Sequence, residues 1–356
     1  MSTTEQPTET PVAAEEVASP ATSDPAAAGP AAGLEAEADD HRDDADSALG
    51  DGESFASSTT SVGSSIMKHR QENGRTYHAY KDGKYLYPND ESENDRLDLQ
   101  HHIYSLMYDN KLHKVVFDKD KPVHRVLDVG TGTGIWAIDY GDEHPEAKVL
   151  GVDLSPIQPD FLPPNVTFEI DDVEEPWTYH HKFDFIHGRM MTGSLVSWSN
   201  YFAQAFENLT PGGYIEHSDV TFPCGCDDGT LPEDSALKKW GEMVLSASQK
   251  IGRPLDSAIR YKQEMEEAGF VDIVEYVDLW PINKWPKDPK YKELGLWNNE
   301  NLVGGLSGLS MALFTRVHNW STQELEAFLV DVRKDMKNTK IHSYITIRTI
   351  HARKPS

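Results

Sequence analysis

The segment Val126–Gly134 contains the residues whose chemical purpose is clearest from type and spacing. Its glycines, Gly130, Gly132 and Gly134, allow a sharp backbone turn and let a ligand approach without meeting a Cβ atom. Apolar residues predict a strand just before this loop and a helix just after it. In α/β proteins, ligands bind at such loops, at the carboxyl edge of a parallel sheet.

Two carboxylates bear on which ligand the loop would bind. Asp153 ends the next predicted strand, 19 residues after Gly134, where it can accept hydrogen bonds from two ribose hydroxyls. A dinucleotide is one candidate, because Gly132, Gly134 and Ala137 satisfy the Gly-x-Gly-x-x-Ala pattern. Asp128 argues against it, since a carboxylate there would repel a diphosphate. It favours S-adenosylmethionine, which carries an ammonium and a sulfonium but no phosphate. A tight turn without any ligand is the third interpretation.

The glycine loop and two further motifs occur in the order expected of a known family. Leu127–Gly134 resembles motif I of class I S-adenosylmethionine-dependent methyltransferases. Phe168–Trp177 resembles their third-strand motif, in which Asp172 would face the adenine amino group and the backbone N–H of Val173 the ring. Leu209–Glu216 resembles the motif that leads into strand five.

Asp153 corresponds in this resemblance to the ribose-binding acidic residue. Ordered motifs of this kind are more specific than one glycine loop. The resemblance therefore implies an S-adenosyl-L-methionine site. Its expected residues are Asp128, Gly130, Thr131, Gly132, Gly134, Asp153, Leu154, Asp172 and Val173.

Four other segments narrow the resemblance to the fungal LaeA-like methyltransferases, from about residue 70 to the C-terminus. They are Glu72–Tyr80, Asp95–Asp98, Gly151–Pro159 and His351–Pro355. The resemblance implies a role in fungal secondary metabolism, in its regulation and in development, with velvet-type regulatory proteins as partners of some members. Other members methylate secondary metabolites directly. A regulatory scaffold with little turnover and a dedicated O- or N-methyltransferase are both compatible with these motifs.

No catalytic residue is assigned from the sequence. An acidic methyl acceptor needs no general base, whereas a hydroxyl or an amine can need one. His187, Glu216 and His217 follow predicted strands at the ligand-binding edge, and each is equally well interpreted as a packed structural residue. Arg189 would pair with a carboxylate of the cofactor or of an acidic substrate, or lie on the surface. The surrounding loop, Gly188–Ser194, should border the acceptor.

Several aromatic and histidine clusters have two interpretations. Four tyrosines either cover the cofactor and acceptor or pack a helix onto the domain: Tyr77, Tyr80, Tyr85 and Tyr87. Adjacent histidines on one element, His101–His102 and His180–His181, point in different directions, so we expect no metal site. Five tryptophans are predicted to build a small apolar core: Trp240, Trp280, Trp285, Trp297 and Trp320.

The alternation of short apolar runs with helical patterns predicts a doubly wound parallel α/β sheet. With the resemblance, the expected fold is a seven-stranded Rossmann-like class I methyltransferase sheet with an N-terminal helical element. We predict a disordered acidic tail over residues 1–65 and an aromatic and helical lid over 66–122. The methyltransferase domain would span 123–356, with insertions at 219–255 and 281–340.

Composition restricts partners and location. The 356 residues carry a formal net charge of −26, and the first 60 hold 14 acidic residues against one basic residue, so direct nucleic-acid binding is not expected. Cys224 and Cys226 are too closely spaced for a zinc knuckle, and two cysteines make no disulfide framework. No apolar run is long enough to span a membrane. The nucleus, on the resemblance, and the cytoplasm are both expected locations.

Overall fold

The computed structural model of the chain describes residues 1, 34–36, 70–78, 80–81 and 83–356. Except for residues 1 and 34–36, the predicted acidic tail lies outside this part of the chain. The boundaries proposed for the tail, the lid and the domain with its insertions stay predictions. Among the described residues, no helix is both long and apolar enough to cross a membrane.

The strands form one short hairpin and one large sheet. In chain order they are β1 (Arg70–Glu72), β2 (Arg75–Tyr77), β3 (Arg125–Val129), β4 (Lys148–Asp153), β5 (Val166–Ile170), β6 (Phe183–Arg189), β7 (Leu209–Gly225), β8 (Val271–Pro281) and β9 (Tyr344–Arg353). The helices are α1 (Glu91–Met107), α2 (Ile135–Glu143), α3 (Trp198–Asn208), α4 (Ala236–Lys250), α5 (Tyr261–Ala268), α6 (Pro289–Val317) and α7 (Thr322–Lys337).

The large sheet has seven strands in the order β5-β4-β3-β6-β7-β9-β8. The first five are parallel to one another. β9 runs antiparallel to both β7 and β8. The predicted seven-stranded Rossmann-like sheet is confirmed, but the expectation that all strands are parallel is wrong for β9. That strand lies between β7 and β8 and is reached from β8 through α6 and α7.

Alternate residues of β3 bury opposite faces of the sheet. Val126 belongs to an apolar cluster with Trp136 and Tyr140 of α2. Leu127 and Val129 belong to a second cluster, with the buried aromatic residues of α3 and α5. Helices therefore cover both faces, and the carboxyl edge of β3, β4 and β6 stays available for a ligand.

β7 is longer than the sequence suggested. Residues 210–213 read Thr-Pro-Gly-Gly, a composition typical of a turn, but they belong to the strand. The C-terminal segment explains this difference, because Gly212 N–H donates to the carbonyl of Lys354 at 2.9 Å. Lys354 N–H in turn donates to the carbonyl of Gly213 at 2.8 Å. A pairing partner more than 140 residues away thus draws the segment into the sheet.

A helical layer of α1, α4, α6 and α7 packs on the ends of β7, β8 and β9. Its core includes Trp240 and Trp280, both almost fully buried. Trp297 and Trp320 pack against the same cluster with partial exposure, and Trp285 is buried nearby. The predicted apolar core of tryptophans is confirmed, and this layer forms a wall beside the carboxyl edge of the sheet.

Candidate functional site

A cleft opens at the carboxyl edge of β3, β4 and β6. Its space, open mouth included, is about 1060 Å³. Most of the predicted cofactor residues line it: Gly130, Thr131, Gly132, Asp153, Leu154, Asp172 and Val173. Asp128 and Gly134 are not among the residues that line the cleft.

The glycine loop is closed by backbone hydrogen bonds and leaves no room for a side chain at Gly130 or Gly134. Gly130 N–H and Thr131 N–H donate to the carbonyl of Val152 at 2.9 and 3.1 Å. Gly130 has a φ of +66°, and a Cβ atom there would lie 2.0 Å from the Sδ atom of Met191. Gly134, at φ +82°, caps α2 and packs on the ring of Phe168. The loop therefore requires glycine for both backbone and steric reasons.

Asp153 is held at the end of β4 by two backbone N–H groups. Its Oδ2 accepts from Gly132 at 2.9 Å and its Oδ1 from Ser155 at 2.9 Å. Burial raises the pKa of the Asp153 carboxyl, and the N–H groups of Ser155 and Gly132 oppose that shift. An ionised carboxylate has about four acceptor positions. Both oxygens can therefore accept further hydrogen bonds from a ligand in the cleft.

Asp128 lies beneath the loop instead of facing the cleft. Its carboxylate accepts a hydrogen bond from Thr131 Oγ1 at 2.5 Å and one from His187 Nδ1 at 2.7 Å. The His187 ring stacks on Trp136 with centroids 3.6 Å apart, and burial lowers its pKa. This arrangement makes Asp128 a residue that positions the loop, and a direct contact between it and a ligand stays a prediction.

Asp172 has a partner that the sequence did not reveal. Its carboxylate forms an ion pair with Lys84, which also lies 3.1 Å from a carboxylate oxygen of Glu174. Lys84 belongs to residues 83–90, here called the strap, which run over the cleft before α1. Arg253 gives Glu174 a second cation at 3.0 Å. The strap is therefore fastened to the sheet edge through the carboxylate expected to face adenine.

We expect Lys84→Met to loosen the strap, because it leaves the buried Asp172 carboxylate without its cation. A buried charged group without its partner destabilises the structure by about 1–3 kcal/mol. The fraction of molecules in which the strap is locally open should therefore rise roughly tenfold or more. Limited chymotrypsin digestion would show faster cleavage after Tyr85. The matched control is Lys81→Met, because Lys81 forms a solvent-exposed pair with Glu175 and such pairs contribute little. Equal cleavage of both variants would contradict the fastening role.

The two other general-base candidates lie inside the protein, away from the cleft. Glu216 accepts hydrogen bonds from Lys114 N–H at 2.9 Å and Val115 N–H at 2.8 Å, which ties the chain before β3 to β7. His217 Nε2 pairs with the hydroxyl of Tyr201 at 2.8 Å. None of His187, Glu216 and His217 lines the cleft. The packed interpretation of all three is the one that the geometry favours.

Glu216 should make stability depend on pH. Burial raises its pKa from 4.5 to about 7, so the folded state keeps a proton that the unfolded state releases at lower pH. Between those values the free energy of unfolding falls as pH rises, by up to about 3 kcal/mol from this group. Glu216→Gln removes the titration and keeps an acceptor oxygen.

Urea unfolding at pH 5 and pH 8 tests this expectation. The difference in free energy of unfolding, variant minus unmodified protein, should increase from pH 5 to pH 8. Glu207→Gln, at an exposed position of α3, serves as the control and should show no such change. A constant difference for Glu216→Gln would refute the assignment.

Arg189 lies on the cleft wall without an acidic partner. Its guanidinium contacts Nδ1 of His101 and lies 4.8 Å from the ring centroid of Tyr104. His101 is held in turn by Asp139 at 2.9 Å. Among the described residues, no carboxylate lies within 4.0 Å of Arg189. Of the four tyrosines that the sequence suggested for the site, Tyr85 alone is among the described residues that line this cleft. Arg189 is therefore a cation available to an anionic group of a ligand.

The charge of the lining indicates which ligand fits. Its acidic side chains outnumber its cationic ones by four to two, as the lining holds Asp153, Asp171, Asp172 and Glu174 with Lys84 and Arg189. A diphosphate would meet this excess of negative charge, whereas a cationic nucleoside is attracted by it. The acceptor positions that Asp153 offers at the end of β4 fit the ribose hydroxyls of S-adenosylmethionine. The fold and this site define a class I S-adenosylmethionine-dependent methyltransferase.

Comparison with known proteins specifies the family. A family model described as a methyltransferase domain matches residues 99–275. The chain is 42% identical to the secondary metabolism regulator LAE1 of Cochliobolus heterostrophus over 80% of this chain and 94% of that protein. It is 40% identical to methyltransferase pytC of Aspergillus terreus over 84% and 92%. The chain belongs to the LaeA-like family of S-adenosylmethionine-dependent methyltransferases, as its motifs predicted.

Two further similarities are more distant. Protein-methionine methyltransferase laeA of Emericella nidulans is 34% identical over 80% of this chain and 76% of that protein. Among solved structures, phosphoethanolamine N-methyltransferase 2 of Haemonchus contortus, in complex with S-adenosyl-L-methionine, is 19% identical with a TM-score of 0.40. That similarity covers 77% of this chain and 55% of the other.

Proposed function

We propose that the cleft binds S-adenosyl-L-methionine with its ribose hydroxyls on Asp153 and its adenine beside Asp172 and Val173. The methionine end would lie over the glycine loop, Gly130–Gly132. The observation that supports this most is the Asp153 carboxylate, which two backbone N–H groups hold at the cleft wall with acceptor positions to spare. Calorimetric titration with S-adenosylmethionine and with NADH tests it, and tight binding of NADH alone would overturn it.

The protein contributes mainly positioning in this proposal. Bound S-adenosylmethionine supplies a methyl group already activated on a sulfonium. Asp153 and the glycine loop fix its orientation, and the strap excludes water by covering the cleft. Holding reactants in a productive orientation accounts for roughly 7–11 kcal/mol of a barrier, so no residue of the lining has to act as an acid or a base for an acidic acceptor.

We infer a role in fungal secondary metabolism or its regulation, which the names of two relatives support. Comparative metabolite profiling of a deletion strain, beside a strain carrying Asp153→Ala, tests this inference. One missing methylated product would indicate a dedicated biosynthetic enzyme, and many shifted pathways a regulator. A scaffold that needs no cofactor would show normal profiles with Asp153→Ala.

We infer a protein methionine as a second candidate acceptor, because one relative is named a protein-methionine methyltransferase. Met190 lines the cleft and has a left-handed backbone, with φ +54°. A thioether attacks an activated methyl group without a base. Mass spectrometry after incubation with S-adenosylmethionine would show one added methyl group, which Met190→Leu should abolish if this residue is the acceptor.

Velvet-type partners and a nuclear location are further proposals that rest on family membership. Pull-down of velvet-type proteins with full-length protein tests the first, with Asp153→Ala as the comparison. Retained capture by that variant would assign partner binding to surfaces other than the cofactor cleft. Fluorescent tagging of the full-length chain decides between nucleus and cytoplasm.

A further inference from the structure

A second cavity lies beside the cofactor cleft. It is bounded by α1, the strap, β7 and the helical layer, and its space with the open mouth is about 720 Å³. Four residues line both cavities: Tyr85, Leu97, Gln100 and Met190. The two cavities therefore share part of their wall, and a molecule in the second cavity would lie beside one in the cleft.

The wall of the second cavity is mainly apolar. Its apolar side chains come from β7 and from the helical layer and include Phe222, Trp240, Val244, Leu302 and Leu309. Such a wall favours ligands that bring apolar surface, at roughly 25 cal/mol per Å² removed from water. The described residues of this wall include no carboxylate that could compensate the desolvation of an ammonium group.

The one charged side chain among the described residues of this wall is already neutralised. Arg96 donates to the Glu93 carboxylate with Nε at 3.0 Å and Nη2 at 2.7 Å. Its Nη1 donates to Oδ1 of Asn301 at 2.7 Å. Arg96 is thus committed to protein partners, and the cavity presents neutral hydrogen-bonding groups such as the hydroxyls of Tyr85 and Tyr87.

No histidine, aspartate or glutamate lies among the described residues that line the second cavity. A methyl acceptor there finds no histidine or carboxylate as general base among the described residues, so a nucleophile that carries a proton must already have released it at neutral pH. The adjoining cleft wall supplies a cation for such an anion. Arg189, next in sequence to the shared residue Met190, has no carboxylate within 4.0 Å among the described residues.

We propose that the second cavity is the acceptor chamber, and that it binds an apolar small molecule whose acidic oxygen, a carboxylate or enolate, faces Arg189. This inference rests on the proposed cofactor site. The acceptor oxygen, having released its proton to water, attacks the methyl carbon. The new O–C bond forms as the C–S bond breaks, and its electron pair stays on sulfur. The products are a neutral methyl ester or enol ether and S-adenosylhomocysteine.

Calorimetry of the full chain saturated with S-adenosylhomocysteine tests the acceptor class with three probes of one ring system. They are 2-naphthoate, 2-naphthol and 2-naphthylmethylamine, which are anionic, neutral and cationic at pH 7. We expect naphthoate to bind at least tenfold more tightly than naphthol, and the amine not to bind. Equal binding of the three probes would overturn the proposed chemistry.

Filling the chamber should abolish probe binding and leave cofactor binding unchanged. Val244→Phe places a ring in the wall, and Val330→Phe, at an exposed position of α7, is the matched control. If Val244→Phe does not fold, Leu309→Phe, at a half-buried wall position, replaces it. Naphthoate binding that survives in a folded variant with a filled chamber contradicts the location.

Arg189→Met tests which carboxylate faces this cation, that of the acceptor or that of the cofactor's methionine group. We expect it to weaken naphthoate at least tenfold, to leave naphthol unchanged and to change the affinity for S-adenosylhomocysteine less than twofold. Loss of S-adenosylhomocysteine affinity with naphthoate unaffected would assign Arg189 to the methionine carboxylate and overturn the acidic acceptor. If the unmodified protein does not bind S-adenosylhomocysteine, the proposed function fails. Cofactor binding without probe binding would contradict only the proposal of an acceptor chamber.

Discussion

Asp153→Ala should weaken S-adenosylmethionine binding by roughly 10- to 150-fold. The substitution removes two charged acceptors for ribose hydroxyls, and hydrogen bonds to a charged group contribute about 1.5–3 kcal/mol. It also removes the partners of Gly132 N–H and Ser155 N–H. Because these N–H groups hold the glycine loop and the following turn against β4, the loss should lie toward the upper end of that range. Calorimetric titration of the purified full chain measures it.

Two further variants distinguish loss of the ribose contacts from an unspecific loss of structure. Asp153→Asn keeps one acceptor oxygen and should recover part of the affinity. Asp160→Ala removes a carboxylate from an exposed position shortly after β4 and should leave the dissociation constant unchanged. Thermal unfolding without ligand shows whether Asp153→Ala is folded. A folded Asp153→Ala protein that binds S-adenosylmethionine normally would exclude the proposed ribose position.

The parts of the site that lie within one strand–loop–helix unit were predictable from the sequence. Gly130, Gly132 and Asp153 combine glycine spacing with predicted strand ends, and all three line the cleft. The same local logic applies to the cap of α7, because Ser321 and Glu324 have the spacing of a capping box. Ser321 Oγ accepts from Glu324 N–H at 3.2 Å, and the Glu324 carboxylate accepts from Ser321 N–H. These features depend on neighbours a few residues apart, which a pattern can record.

Features created by distant parts of the chain were not predictable. Lys84 reaches Asp172 across 88 positions, and nothing in the local pattern of either residue indicates the pair. The position of Asp128 beneath the loop depends on His187, which a different strand supplies. The β1–β2 hairpin is an exception, because its turn has a sequence signal, the dipeptide Asn73-Gly74. These two residues have the positive φ angles, 52° and 76°, that a tight hairpin turn requires.

Gly130→Ala should disrupt the cofactor site by a steric effect. The residue has φ +66°, where an alanine is strained by about 1–2 kcal/mol. A Cβ atom would in addition lie 2.0 Å from the Sδ atom of Met191, which is 9% exposed and packed in the core cluster around α3. Either the loop or the Met191 side chain must move. We expect at least a tenfold loss of S-adenosylmethionine affinity, measured by calorimetry.

A matched glycine and a compensating variant separate strain from the clash. Gly229→Ala imposes a similar φ, +74°, at a position where a Cβ atom meets nothing within 4 Å, so it should lower stability slightly and leave affinity intact. Adding Met191→Ala to Gly130→Ala removes the obstructing side chain and should restore part of the binding. If the double variant binds no better than Gly130→Ala alone, contact with Met191 is not what excludes a side chain from the loop. The loss would then come from the backbone conformation, which only glycine adopts without strain.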